Sequence, residues 1–411
     1  MKILIITTQL PDPPASGGAL RVLGIVRGLH DAGHQITLMS FATPTEVREA
    51  KRLSALCERV VTIPPAPPRT VIRRLRDLAL THQPDIAFRF YDPAFEAQLR
   101  QLLAETPFDL IQIEAIEAAC YLPTVRDTQP GAKVVFDTFN AEYQLQRVIA
   151  SIDRQELKRL PAAVYSLIQT QRLKRYEARM CQLADAVIAV SPEDAEALRP
   201  FRNDGKVFIV PSGITVEDYT NPSDTAAQSD NLHPNSLVFT GKMDYRPNID
   251  AMIWFTDEIL PLILRQQPDV HLYIVGQQPH ARLERLNEHP NITLTGRVDS
   301  VIPYLHGADV YIAPLRMGSG TRLKLLEAMA CRCAIVATTT ASAGLLDEAK
   351  QAMLIADNPQ TFAEAVVELL RDSDQRQAAG VQAYEQVSTH YDWSKLIPKL
   401  LNTYREIGLE S

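Results

Sequence analysis

Twice along this chain, short runs of consecutive apolar residues alternate with longer segments whose apolar positions recur every three or four residues. Strands buried on both faces of a parallel sheet read as unbroken apolar runs, and the crossover helices between them read as amphipathic. In the first half the expected strands are Ile3–Ile6, Ile36–Met39, Val60–Ile63, Leu110–Ile113, Val134–Phe136, Val187–Val190 and Val207–Val210. In the second half they are Leu237–Phe239, Leu272–Val275, Ile292–Leu294, Val310–Ala313, Ile335–Ala337 and Met353–Ile355. The pattern predicts an α/β protein with the same architecture twice: two Rossmann-like, doubly wound parallel-sheet domains. A length of 411 residues agrees, being too long for one ordinary core.

The boundaries follow from the breaks in the pattern. An N-terminal domain spans 1–215, and the polar stretch around Glu217–Pro234 has no hydrophobic period, so 216–235 reads as a linker. A second domain covers 236–390. A last helix within 391–411 follows Tyr391-Asp392-Trp393, with Asp392 or Ser394 as its cap, and is expected to return to the N-terminal domain. Ligands of open α/β sheets bind at the carboxyl ends of the strands, so the chemistry is expected in a cleft onto which both domains face.

A net charge of −7 argues against a nucleic-acid partner. Five cysteines, an odd number without metal-ligand spacing, point to a reducing, cytoplasmic setting. Cys331 and Cys333 read as small buried hydrophobes. The first apolar run stops at Pro11, Pro13 and Pro14, too short for a signal-peptide core, and no stretch reaches the ~18 apolar residues of a membrane helix. Two basic clusters interrupt the acidic background: Arg147–Arg179, with eight Lys/Arg against three Asp/Glu, and Arg69, Arg73, Arg74 and Arg76. A solvated helical face is one reading; peripheral docking on an anionic membrane surface is the other.

The segment richest in chemistry runs from Ala313 to Ala330. A strand ends, a loop with Gly318, Ser319 and Gly320 follows, and a helix is expected to begin near Thr321. Glycines let backbone N–H groups approach a phosphate, and a helix start adds its positive dipole end. Arg316, Arg322 and Lys324 surround the loop, and charge-assisted hydrogen bonds of ~1.5–3 kcal/mol each suit a diphosphate leaving group. Glu327, about a turn and a half into the helix, can accept both hydroxyls of a ribose. The bland alternative is a loop-to-helix junction with a solvated basic face.

This segment resembles the sugar-nucleotide signature of the group 1 (family 4) glycosyltransferases of the GT-B fold. Similar landmarks occur in order along almost the whole chain: Gly17-Gly18 after the first strand; Leu29 to His34; Pro211-Ser212-Gly213-Ile214; Phe239-Thr240-Gly241-Lys242-Met243; Tyr273 to Gly276; Leu294-Thr295-Gly296-Arg297-Val298; and Tyr391-Asp392-Trp393. The resemblance implies a metal-independent, typically retaining transferase that moves a sugar from a nucleotide-diphosphate donor, UDP- or GDP-sugar, to a glycan or lipid-linked acceptor, with no other cofactor. It implies that Glu327 holds the ribose and that Lys324 and Arg322 act with it in catalysis. Lys242, Arg246, Arg316, Gly318, Ser319, Gly320 and Thr321 face the diphosphate. Gly296, Arg297 and Val298 turn near the nucleobase, and Gly17, Gly18 and Asn140 approach from the N-terminal domain. Three positions depart from the family pattern. Ser319 stands where an acidic residue is usual, Asp244-Tyr245-Arg246-Pro247-Asn248 replaces a Lys-Gly pair, and Phe139 replaces the histidine of an Asp-x-His-Asn-x-Glu-Tyr segment.

Competing chemistries leave weaker traces. The D-x-D at Asp372-Ser373-Asp374 falls between two helical stretches and reads as a solvated turn, not a metal-diphosphate clamp. Pro14 to Ala19 lacks dinucleotide-fingerprint spacing, and no Walker lysine pattern or paired glycosidase carboxylates stand out. A degenerate relative that binds a nucleotide sugar without turnover, or serves as a partner subunit, and a nucleotide-sugar epimerase are the other readings. His30 and His34 read as helix-terminal, Trp254 as core, and Asp250 as a cation partner or cap.

Overall fold

The computed structural model describes all residues except 15, 66–68, 71–75, 78–79, 154–159, 221–231, 318–321 and 410–411. The chain divides into two compact units, Met1–Ser212 with Leu396–Ser411, and Gly213–Lys395.

The first unit is built on a seven-stranded sheet in the order β3-β2-β1-β4-β5-β6-β7. The strands are β1 (Lys2–Ile6), β2 (Gln35–Phe41), β3 (Arg59–Ile63), β4 (Leu110–Glu114), β5 (Lys133–Thr138), β6 (Ala186–Ala189) and β7 (Phe208–Ile209). All pairings are parallel. Each expected apolar run is a strand, and Ile3 to Ile6 are sealed from solvent, as strands covered on both faces must be. From β1 the chain builds outward to β3, then returns to place β4 on the other side of β1. That reversal puts the loops after β1 and β4 at a topological switch point.

The last helix, Trp393–Glu406, runs into this unit from Leu396 onward. Asp392 accepts the Ser394 N–H at its start, as the cap reading requires. A Cβ on Gly28 would lie 2.2 Å from Ile397, so the helix Gly17–Asp31 has a glycine where the last helix touches it. Further along, Tyr404 donates to Gln112 of β4.

The second unit is built on a six-stranded parallel sheet in the order β10-β9-β8-β11-β12-β13. Its strands are β8 (Ser236–Thr240), β9 (His271–Val275), β10 (Ile292–Gly296), β11 (Val310–Ala313), β12 (Ala334–Ala337) and β13 (Leu354–Ile355). Here the switch point lies between β8 and β11. Trp254 is core, edge-on to Phe362. Cys331 and Cys333 are free and buried, and burial pushes the Cys333 thiol up to about 12, far from reactive range. Asp372 caps the helix Ser373–His390 through the Asp374 and Gln375 N–H groups, so the D-x-D is a helix–helix turn.

The stretch expected as a polar linker begins as ordered structure. Glu217–Thr220 is a short helix of the second unit with Tyr219 buried. Ile214 bridges Asp392, whose carboxylate also accepts the Val216 N–H at 2.9 Å. Ile214, Val216 and Tyr219 are all buried, and these three side chains anchor an otherwise polar segment.

No helix among the described residues is long and apolar enough to cross a membrane. Of the basic clusters, Arg73, Arg74 and residues 154–159 lie outside the described residues. Arg69 is taken up by Asp77 and Asp85, and Arg76 lies 3.6 Å from Asp77, so those two charges are not a bare cationic face.

Candidate donor site and its neighbours in the fold

At the switch point of the second unit, Gly241 follows the last residue of β8. A Cβ there would sit 2.7 Å from both the Lys324 ammonium and the Asn248 amide, so only a glycine lets these groups come this close to the backbone. The neighbouring loop after β9 has the same requirement, since a Cβ on Gly276 would lie 1.7 Å from the Gly241 carbonyl oxygen. The two glycines pack the loop ends of β8 and β9 backbone to backbone.

Lys324 lies in the first turn of the helix Leu323–Ala330, which starts two residues later than Thr321; Gly318, Ser319, Gly320 and Thr321 lie outside the described residues. Its Nζ donates to Asn248 Oδ1 at 2.8 Å and sits 4.3 Å from the Phe239 ring centroid. Asn248 is itself buried and is turned by donating its amide to the Lys242 carbonyl at 2.9 Å. Burial, and then the Arg322 guanidinium, lower the Lys324 ammonium to about 7, with Glu327 opposing both. No carboxylate of the described residues is within ion-pair distance of Lys324.

One turn further on, Glu327 accepts a hydrogen bond from the Tyr219 hydroxyl at 3.0 Å. Burial raises its carboxyl above the ordinary range, while Tyr219 and then Lys324 pull it back toward ionisation. The arrangement is an ammonium and a carboxylate on one helix face, set at the end of β8, with a buried amide and a buried phenol fixing them.

The other expected residues are distributed less compactly. Arg316, after β11, holds Asp250 in a two-pronged pair at 2.8 and 3.0 Å and lies 5.2 Å from the Trp254 ring centroid, so it already has a carboxylate partner. Lys242 is half-exposed, 3.8 Å from Asp244. Arg246 opens the helix Arg246–Trp254 that carries Asn248 and Asp250. Arg322 occupies the cap position of the Glu327 helix. Gly296, with φ +68, ends β10, followed by exposed Arg297 and half-buried Val298, two strands away from β8. Asn248, Phe239 and Tyr219 carry no site role in the sequence reading. The apolar spacing of Val216 and Tyr219 inside the supposed linker is the signal that was there to find.

In the first unit, Gly17 and Gly18 begin the helix Gly17–Asp31, capped by Ser16. Gly18 is required by Phe139, whose ring would be 2.8 Å from a Cβ there. Asn140 donates to Glu142 at 3.1 Å, and the backbone around it is pinned by buried carboxylates. Asp194 accepts the Ala141 N–H, and Glu177 accepts those of Glu142 and Tyr143, each at 2.8 Å. Burial raises Glu142 to about 7 and Glu177 to about 8. Behind them Arg21 and Asp137 form a sealed, two-pronged pair at 2.8 to 3.2 Å.

A family model described as Glycosyltransferase Family 4 matches residues 15–218, and one described as Glycosyl transferases group 1 matches 234–372. A protein in the cps region of Klebsiella pneumoniae is 20% identical over 409 residues, covering 97% of this chain and 98% of that one. The phosphatidyl-myo-inositol mannosyltransferase of Mycolicibacterium smegmatis is 22% identical, with 99% and 94% covered. Among solved structures, sucrose-phosphate synthase from Thermosynechococcus elongatus superposes with a TM-score of 0.72 at 20% identity, over 99% of this chain and 98% of that one. Anabaena HepE in complex with UDP and glucose gives 0.68 at 16%, over 99% and 100%.

Proposed function

Because this chain belongs to the group 1, family 4 glycosyltransferases of the GT-B fold, we propose that its second unit binds a nucleoside-diphosphate sugar, UDP- or GDP-linked, and that the sugar passes to a glycan or lipid-linked acceptor. The observation that carries this reading is Lys324. A half-buried ammonium held by an amide and a ring, without a carboxylate partner among the described residues, is held at a cost in the free protein. A diphosphate arriving at Gly241 would offset that cost. Glu327 would then meet the ribose, and the complexes of HepE with UDP support a nucleotide of this class as donor.

In the proposed chemistry the bond from the anomeric carbon to the phosphate oxygen breaks, and its electron pair leaves on the diphosphate. Lys324, Arg322, Lys242 and the start of the Glu327 helix stabilise that developing charge, the counter-charge role that a metal fills in other transferases. The acceptor hydroxyl adds on the face the diphosphate has left and gives its proton to the departing phosphate oxygen, so the configuration is retained. Arg316 enters only by exchanging Asp250 for phosphate.

The test is binding and sugar transfer or hydrolysis across UDP-, GDP- and ADP-sugars, with Lys324→Ala and Glu327→Ala beside the wild type. One base should be preferred, and both variants should lose most turnover. Near-normal turnover in both would end the proposal.

A further inference from the structure

Resting on that reading, we infer that Tyr219 is the positioning residue for Glu327, and that it makes the site selective for a nucleotide with an intact ribose diol. A glutamate side chain has three rotatable bonds, and accepting two vicinal hydroxyls in one plane requires a single orientation of its carboxylate. Tyr219 supplies it. Its one phenolic proton goes to Oε1 of Glu327 at 3.0 Å, and its ring is buried, so the hydroxyl has little freedom to turn elsewhere.

The tyrosine is itself fixed at both ends. His306, on the helix Ile302–Gly307, contacts the Tyr219 carbonyl through Nε2 at 2.8 Å. A carbonyl only accepts, so Nε2 must carry the proton. The Cys331 thiol, at the end of the Glu327 helix, lies 3.9 Å from the same carbonyl. On the chain side, Asp392 holds Val216 three residues earlier. Tyr219 is thus seated against the helix whose carboxylate it aims.

A carboxylate has about four lone-pair directions. Tyr219 takes one, and it is the hydrogen-bond donor to Glu327 among the described residues. Oε2 and the remaining lone pair of Oε1 are then the acceptors for a diol. With a deoxy sugar the oriented carboxylate meets one hydroxyl only, and the value of holding it in place is lost.

The experiment compares Tyr219→Phe with wild type by calorimetric titration with UDP and GDP and their 2′-deoxy counterparts. Donor KM and kcat are measured in the same preparations. Phenylalanine keeps the buried ring, and an unchanged melting temperature checks that it does. Wild type should favour the ribonucleotide about tenfold, the size of one hydrogen bond to a charged group. Tyr219→Phe should weaken the ribonucleotide five- to tenfold, leave the deoxynucleotide nearly unchanged, and raise donor KM more than it lowers kcat. In a Glu327→Gln background it should do little.

Equal losses for both nucleotides would make Tyr219 a packing residue, and no loss would make it idle. Either result overturns this inference while leaving the donor site standing. A wild type that binds neither nucleotide, or binds both alike, fails earlier: it removes the ribose role of Glu327 and the inference with it.

Discussion

The two units hold cations in opposite ways. In the first, Arg21 is sealed at 1% exposure against Asp137, and its guanidinium also reaches Ser212. Glu114 is buried beside them and held by Gln112 at 2.6 Å, with its carboxyl pushed well above the usual range by burial and then by Asp137. In the second, Lys324 is half-buried against an amide and a phenyl ring. A cation whose partner is built in belongs to the fold, because its charge is already balanced there. One without a carboxylate partner among the described residues, set beside a loop that needs glycine, is where the proposed diphosphate would bind.

Removing the built-in partner should have the largest effect. Asp137→Ala leaves Arg21 charged and buried, which costs ~3–5 kcal/mol when one member of such a pair is lost. Chemical denaturation reads it directly, and a loss below about 1 kcal/mol would mean that water reaches the guanidinium and that the contrast is overstated.

Lys324→Met should behave oppositely in the two assays. Transfer should fall ~100-fold or more, the scale of losing one preorganised donor to a developing oxyanion. Stability should stay level or rise by about 1 kcal/mol, because a half-buried charge without a carboxylate partner among the described residues has been replaced by an apolar side chain. Lower stability with retained transfer would place Lys324 with Arg21 among the structural cations.

The same contrast has a pH signature. Lys324 titrates near 7 in the folded unit and at ~10.4 in an unfolded chain. Between those values the unfolded state binds more protons, so the contribution of Lys324 to stability rises with pH across that window. Lys324→Met should remove that slope. Diphosphate binding favours the protonated amine, so nucleotide affinity should weaken as pH climbs past 7. Lys324→Arg, charged throughout, should bind without that decline. A wild-type affinity flat from pH 6.5 to about 9 would show that the amine does not titrate there.

The same division between local and distant information explains what could be read in advance. Every expected strand is present, because a parallel strand covered on both faces is a continuous apolar run and needs no tertiary knowledge to be seen. Glu327 and Lys324 stood out because a strand, a glycine loop and a helix start are adjacent in the chain. Their fixing partners did not, because they arrive from elsewhere: Asn248 from 76 residues before Lys324, Tyr219 from 108 before Glu327. Asp250, which occupies Arg316, comes from 66 residues away. Polar composition made 216–235 read as a linker, and composition averages out Val216 and Tyr219, the two buried side chains that tie its first residues down.

Asn248→Asp would give the second unit what the first already has. Asn248 Oδ1 lies 2.8 Å from the ammonium, so a carboxylate there forms an ion pair without moving either backbone. The pair should raise Lys324 toward its ordinary range and flatten the pH dependence of binding. It should also weaken nucleotide affinity about tenfold, since phosphate must now displace a resident anion, a difference of about 1.4 kcal/mol. The effect is smaller than in Lys324→Met because the ammonium remains and the competitor is only a partial substitute. Asn248 also turns its amide toward the Lys242 carbonyl, a contact that aspartate lacks, and some movement of the Lys242 loop should accompany the change. Asn248→Ala separates the two contributions. It loses that amide contact without adding a charge, so it should keep the pH dependence that Asn248→Asp removes. If both variants bind with the same pH profile, the lack of a carboxylate beside Lys324 among the described residues is not what attracts the anion.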